Sequence, residues 1–140
     1  MKFSFSYQKP IISDIEAPYI PIILSDPLEQ TSVEIKALVD TGYDGEILIP
    51  QDMYETLNLK TFEYSLDVVS MAETASGEHI RLLSASGAAK IKGSDITIII
   101  TIDSHQNCKE VLIGRKYLES YDILLKGQEK ELEIEFVAEK

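Results

Sequence analysis

An Asp-Thr-Gly triplet, Asp40-Thr41-Gly42, ends one apolar run and precedes another in the segment ALVDTGYDGEILIP, residues 37–50. A carboxylate can act as a general acid or base where its surroundings tune its pKa. Gly42 lets other backbone come close and offers an N–H beside the carboxylate, and the Thr41 hydroxyl can donate and accept hydrogen bonds. The triplet is a candidate catalytic loop, although Asp-x-Gly also occurs in plain turns.

The chain contains one such triplet, whereas amide hydrolysis by carboxyl groups is best served by two. Two neighbouring carboxyl groups cannot both ionise easily, so they share a proton. One then deprotonates a water molecule while the other donates to the carbonyl oxygen. Because a two-fold symmetric dimer brings the same residue of both chains to its axis, the single triplet predicts a homodimer with one Asp40 from each chain.

The elements that must position this loop have the pattern of short strands separated by turns. Alternation over residues 33–39 places Asp40 on the face opposite the apolar row. Short helices are predicted in PQDMYETLNL (50–59) and RKYLESY (115–121), and hairpins around ETASG (73–77) and KGQEK (126–130). We expect a mostly β fold, a closed or partly closed β-barrel with one or two short helices, in a single domain over residues 1–140.

The order of motifs resembles the retropepsin-like aspartic proteases, the viral-type single-domain branch, and in particular their small cellular and prokaryotic relatives. Asp40-Thr41-Gly42, preceded by Leu38 and Val39, matches the catalytic motif, and the later Leu112-Ile113-Gly114 leads into a helix as in that family. The resemblance covers roughly residues 20–125 in order of elements. It implies a retropepsin-like closed barrel and a homodimeric aspartic endopeptidase that needs no cofactor.

The same resemblance assigns roles to further residues. Structural support of the catalytic loop is implied for Leu112, Ile113, Gly114 and Arg115, with Arg115 paired to Asp44. A flap hairpin over about residues 71–82 would close over bound peptide. Substrate-binding residues would be Tyr43, Asp44, Gly45, Thr74, Ala75, Ser76 and Gly77. The terminal segments FSFSY (3–7) and LEIEF (132–136) would interleave in the dimer.

One position departs from the family pattern. Tyr43 stands where retropepsins mostly have a small residue, and it would crowd or reshape the substrate cleft. This motivates an alternative, a catalytically inactive barrel of the same fold that acts as a peptide- or protein-binding module. In that alternative Asp40 is a structural acid that caps its own loop through backbone N–H groups.

Composition narrows the remaining classes of function. A net charge of −11 disfavours nucleic acid and anionic membranes as partners. The partners implied by the single triplet and by the resemblance are a second copy of the chain and a peptide or protein substrate. The single cysteine, Cys108, excludes an internal disulfide and fits a reducing compartment, and with no signal-peptide pattern we expect a cytoplasmic protein. His79 and His105 are too few and too far apart in sequence to favour a metal site.

Overall fold

The computed structural model describes residues 1–10, 13–64, 70–73, 77 and 79–137. These ranges contain two short α-helices, α1 (Gln51–Thr56) and α2 (Arg115–Leu118), and a 3-10 helix at Leu59–Phe62. The strands that they contain are β1 (Lys2–Ser6), β2 (Tyr19–Ser25), β3 (Ser32–Val39), β4 (Ile47–Pro50), β5 (Ser70–Glu73), β6 (His79–Ile91), β7 (Ile98–His105), β8 (Leu112–Ile113), β9 (Tyr121–Lys126) and β10 (Glu131–Phe136).

Most of the strands form a closed barrel. Their order is β2-β3-β8-β4-β7-β6, and β6 pairs back onto β2 while β5 continues the sheet beyond β6. Closure satisfies the backbone groups that an open sheet would leave at its edges. The predicted fold class is confirmed in its architecture, a mostly β closed barrel with two short α-helices in the described residues.

The barrel interior is filled by branched aliphatic side chains that point inward from alternate strand positions. Fully or almost fully buried members are Ile20, Ile22, Leu24, Ile47, Ile49, Ile91, Ile100, Ile102 and Ile113. Burial of one such side chain contributes about 1.5–3 kcal/mol to folding. This core fixes the strand ends from which the Asp40 loop emerges.

The short strand β8 lies between β3 and β4. It runs parallel to β3, with Val39 opposite Ile113, and antiparallel to β4, with Ile47 also opposite Ile113. The strands on either side of the Asp40 loop are thereby tied to the Leu112-Ile113-Gly114 segment. The segment therefore lies directly beside the strand ends from which the loop emerges.

The hairpin predicted before residue 82 is present, because β5 and β6 pair from Ser70 with Leu82 to Glu73 with His79. Thr74, Ala75 and Ser76 of its tip lie outside the described residues. The segment HIRLL, residues 79–83, is the strand that the sequence predicts after the hairpin tip, whereas β6 continues to Ile91. A Cβ at Gly87 would lie 2.2 Å from Ile102 Cδ1, so a small residue is needed where β6 and β7 approach closely.

The terminal strands form a separate three-stranded sheet of order β1-β10-β9. In β10, Leu132 and Ile134 are buried, while the alternating glutamates lie on the other face, so the strand is amphipathic. Strand β1 pairs with β10 of the same chain, from Lys2 opposite Glu135 to Ser6 opposite Glu131. The interleaving of these strands between two chains, which the resemblance implies, stays a prediction.

Within the described ranges, no helix combines the length and apolar character required to cross a bilayer.

Candidate active site

The Asp40 loop is closed by its own backbone. The Asp40 N–H donates to Ile113 O at 2.9 Å, and the Tyr43 N–H returns to Asp40 O at 3.2 Å. The Gly42 N–H donates to Asp40 Oδ1 at 2.9 Å, which is the contact predicted from the absence of a side chain at Gly42. One oxygen of the Asp40 carboxylate is therefore oriented by the loop itself.

The outer surface of the loop is accessible. Asp40 is partly exposed, and Thr41 and Gly42 are exposed. The Asp40 side chain is thus held at one oxygen by backbone and can be reached from solvent. The exposed Thr41 hydroxyl is also available to a second molecule that approaches the loop.

Backbone N–H groups at the start of α2 support the loop from below. Gly114 N–H donates to Glu46 O at 2.8 Å, and Arg115 N–H donates to Tyr43 O at 2.8 Å. Lys116 N–H donates to Gly45 O at 3.2 Å. Gly114 is essential to this contact because a Cβ there would lie 2.2 Å from Gly45 O. The predicted supporting role of Leu112, Ile113 and Gly114 therefore has a definite geometry.

The expected ion pair between Arg115 and Asp44 is wrong for the part of the chain that the structure describes. The ion pairs found there join Lys2 and Lys126 to Glu133, and Lys92 to Glu34. Both Arg115 and Asp44 are exposed, where an ion pair gains little against solvent and side-chain entropy. Arg115 instead supports the loop through its main-chain N–H.

Tyr43 turns into the protein. Its hydroxyl donates to Asp103 Oδ2, and its ring lies so close to Gly45 that a Cβ there would be 2.3 Å from the phenol oxygen. The sequence had suggested that Tyr43 lines the substrate cleft and crowds it. In the structure the ring lies beneath the loop, where its hydroxyl contacts Asp103. The side chain therefore supports the loop from below.

Asp103 is a buried carboxylate, 7% exposed. Its second oxygen accepts from Ser84 Oγ at 2.6 Å, and Ser84 is its register partner across β6 and β7. Burial raises the pKa of the Asp103 carboxyl; the hydroxyls of Ser84 and Tyr43 act in the opposite direction, and the charge of Asp44 adds to the rise. Burial and then the charge of Asp103 raise the pKa of the Tyr43 hydroxyl, so that it remains a donor.

Asp103 and Ser84 were not among the predicted site residues. In the segment DITIIITIDSH, residues 95–105, Asp103 falls on the face opposite Ile100 and Ile102. Alternation alone would place such an acid in solvent. Two features of the sequence point to Asp103. It is an acid at the end of a strongly β-branched run, and Tyr43, which departs from the family pattern, offers a hydroxyl that needs an acceptor. Only the folding of the loop over β7 covers this second face.

The remaining predicted substrate-binding residues divide into two groups. Asp44 is exposed and Gly45 is half-buried in the loop. In the hairpin, Gly77 is exposed and has a φ of 86°, a backbone conformation suited to glycine. The other tip positions, Thr74 to Ser76, lie outside the described residues, and so does any contact that they make.

A separate cavity of about 380 Å³ opens between α1, β3 and the segment before β8. Its lining includes Tyr19, Ile35, Met53 and Val111 and none of the predicted site residues. The Asp40 loop is therefore distinct from this cavity.

In the described ranges, no group of three or more His, Cys, Asp and Glu side chains is arranged to hold a metal ion.

No protein-family model matches the sequence, whereas comparison with known proteins finds similarity to one relative and to solved structures. An uncharacterised protein of Archaeoglobus fulgidus is 29% identical over 115 residues, which span 77% of this chain and 85% of that protein. The solved structure of EIAV protease complexed with the inhibitor HBY-793 superposes with a TM-score of 0.49 at 15% identity, over 80% of this chain and 91% of that one. Function must therefore be argued from the site itself.

Proposed function

We propose that the protein is a homodimeric aspartic endopeptidase in which each chain contributes one Asp40. The observation that carries the proposal is the geometry of the loop: an accessible carboxylate whose Oδ1 accepts the Gly42 N–H at 2.9 Å. The β3-β8-β4 arrangement holds that loop at both ends. A rigid scaffold behind an exposed acid is what positioning for catalysis requires.

In the proposed reaction, the two Asp40 carboxyl groups share one proton. The ionised group removes a proton from water, and the water oxygen bonds to the carbonyl carbon of the peptide. The protonated group gives its proton to the carbonyl oxygen. Collapse of the tetrahedral intermediate breaks the C–N bond as a proton passes to the leaving amine.

Other residues of the loop have supporting roles in this proposal. Thr41, which is exposed, would brace the two loops across the two-fold axis. Gly42 and Asp44 would contact the backbone of the bound peptide, and the β5-β6 hairpin would exclude water when it closes. The interior position of Tyr43 supports the proposal, because it removes the large side chain from the outer surface of the loop.

The inactive binding module remains a second candidate, favoured by the same Gly42–Asp40 contact. An Asp side chain that accepts a local N–H is a sufficient reason for an acid in a turn. In that case the protein binds peptide without cleaving it, and the Asp40→Asn variant leaves peptide binding intact. In the endopeptidase the same variant abolishes cleavage and changes stability little, because the amide oxygen can still accept the Gly42 N–H.

The first experiment compares wild-type protein, Asp40→Asn and the control Asp95→Asn on a diverse peptide pool at roughly pH 3 to 8. Asp95 is an exposed acid between β6 and β7 and should leave cleavage unchanged. Cleavage by wild type and Asp95→Asn alone is expected. No cleavage by a folded wild-type dimer, or equal cleavage by Asp40→Asn, would contradict the proposal.

A mixing experiment tests whether the two acids are shared between chains. Equal amounts of wild type and Asp40→Asn are unfolded together, refolded and assayed at fixed total protein. If each site needs both Asp40 residues, only homodimers of wild type are active, and activity falls to about one quarter of that of unmixed wild type. A fall to about one half would mean that each chain acts independently.

A further inference from the structure

We propose that Asp103 and Tyr43 are positioning residues that fix the catalytic loop against the outer face of β7, so that the placement of Asp40 depends on a carboxylate buried beneath the loop. The inference rests on the proposed endopeptidase function. It concerns how the loop is held, and the contacts that carry it lie wholly within one chain.

The path from Asp103 to Asp40 has two bonded steps. Asp103, on β7, accepts the Tyr43 hydroxyl. The Tyr43 N–H then donates to Asp40 O at 3.2 Å, while Tyr43 O accepts the Arg115 N–H at 2.8 Å. The side chain, the amide and the carbonyl of Tyr43 are each held by a different part of the protein. The orientation of this residue therefore determines the course of the backbone immediately after Gly42.

The ring of Tyr43 occupies a slot that only glycine neighbours permit. A Cβ at Gly45 would lie 2.3 Å from the Tyr43 phenol oxygen, and one at Gly114 would lie 2.6 Å from Tyr43 Cδ2. Neither glycine has a positive φ, so close packing, and not backbone conformation, is the reason for glycine at both sites. Close packing against Gly45 and Gly114 therefore holds the ring in a single orientation. In that orientation its hydroxyl donates to Asp103.

The base of the slot is also fixed. Asp103 is 7% exposed, and Ser84 Oγ donates to its Oδ1 at 2.6 Å. A buried carboxylate needs hydrogen-bond donors, and here the hydroxyls of Ser84 and Tyr43 supply them. Because Ser84 lies directly opposite Asp103 on the neighbouring strand, the acceptor for Tyr43 is part of the rigid barrel wall.

A purely structural role and a positioning role make different predictions, which a matched pair of variants can separate. Tyr43→Phe removes the hydroxyl that donates to Asp103. Tyr54→Phe is the matched control. Tyr54 is a buried residue of α1, outside the Asp40 loop, and its hydroxyl donates to Glu63 Oε2 at 3.0 Å. Asp103→Asn perturbs the same contact from the other side while keeping the size of the side chain.

Steady-state cleavage of the best peptide is expected to distinguish these variants. Tyr43→Phe and Asp103→Asn should each lower kcat by about tenfold to a hundredfold with KM nearly unchanged, since a small misplacement of the acid affects the transition state most. The double variant should lose little more than either single variant, because both remove one interaction. Tyr54→Phe should keep its kcat.

A second measurement does not depend on activity. Amide hydrogen exchange and ¹⁵N–¹H chemical shifts of Gly42 and Tyr43 report the loop directly, in wild type and in the same variants. Tyr43→Phe and Asp103→Asn should shift both amides and speed the exchange of Tyr43 by about tenfold. Tyr54→Phe should leave both amides as in wild type.

The outcomes separate the two proposals. If wild type cleaves no peptide but the loop amides respond as stated, the endopeptidase proposal fails and the positioning contact stands. If Tyr43→Phe is destabilised like Tyr54→Phe while its kcat and loop amides stay at wild-type values, Tyr43 and Asp103 are merely structural and the inference is overturned.

Discussion

Replacement of Gly114 by alanine tests whether the loop is held as tightly as its geometry indicates. The added methyl group would lie 2.2 Å from Gly45 O, 2.6 Å from Tyr43 Cδ2 and 2.7 Å from Tyr43 O. Two of these three atoms belong to the backbone of the Asp40 loop, so no side-chain rotation relieves the overlap. Either the loop or the start of α2 must move.

The size of the effect follows from what that movement breaks. Overpacking of a well-filled site costs about 1–3 kcal/mol. Movement also lengthens the bonds from Gly114 N–H to Glu46 O and from Arg115 N–H to Tyr43 O, both 2.8 Å, each worth about 1 kcal/mol. We therefore expect Gly114→Ala to lower the free energy of unfolding by about 3 kcal/mol, or the melting temperature by about 10 °C.

The assay is urea unfolding at constant m-value, with Gly127→Ala as the control. A Cβ at Gly127 meets nothing within 4 Å, and its φ is not positive. The control should be unchanged or more stable by about 0.5 kcal/mol, because alanine restricts the unfolded chain. A loss below about 1 kcal/mol for Gly114→Ala would refute the tight contact between α2 and the loop.

Two further predictions concern buried acids. The pKa of Asp103 is raised, so the folded protein binds the proton of this carboxyl more tightly than the unfolded chain does. The contribution of Asp103 to stability is therefore complete below the ordinary carboxyl pKa and is lost as pH rises through the folded value. Asp103→Asn should flatten this part of the curve of unfolding free energy against pH, and an unchanged curve would contradict the prediction. Asp26, 2% exposed, accepts N–H bonds from Leu28 at 2.9 Å and Thr31 at 2.7 Å; these bonds outweigh burial and lower its pKa, so its contribution is present above the ordinary pKa and lost as pH falls. Asp26→Ala should cost about 3 kcal/mol in urea unfolding at neutral pH, against no measurable change for the exposed Asp14→Ala.

Local sequence patterns predicted the parts of the fold where one strong rule operates. Alternating residues identified β3, and the segment PQDMYETLNL was predicted to contain a short helix, which α1 with Pro50 at its N-cap confirms. These predictions succeeded because side-chain period and proline geometry act within a few residues. The length of β6 was missed because its small residues, such as Ala85 and Gly87, have low β-propensity and are selected by close approach to neighbouring strands.

The candidate site was predictable only at its surface. Asp40 and Gly42 could be identified because their contact is local, two residues apart. The interior support could not, since Tyr43 and Asp103 are separated by 60 positions and meet only after the barrel closes. The resemblance implied that Arg115 acts through its charge, whereas its backbone N–H makes the contact with Tyr43 O.

The pairing of β1 with β10 has a consequence for folding during translation. The first strand finds its neighbour only after the last one has been synthesised, because Lys2 lies opposite Glu135. Chain synthesis proceeds at about 5–20 residues per second. During the several seconds before β10 is made, both edges of β1 therefore lack a strand partner. Contacts so distant in sequence form slowly, and during that interval a neighbouring nascent chain offers the same complementary strand. Translation in close-packed polysomes should therefore favour exchange of β1 between sister chains.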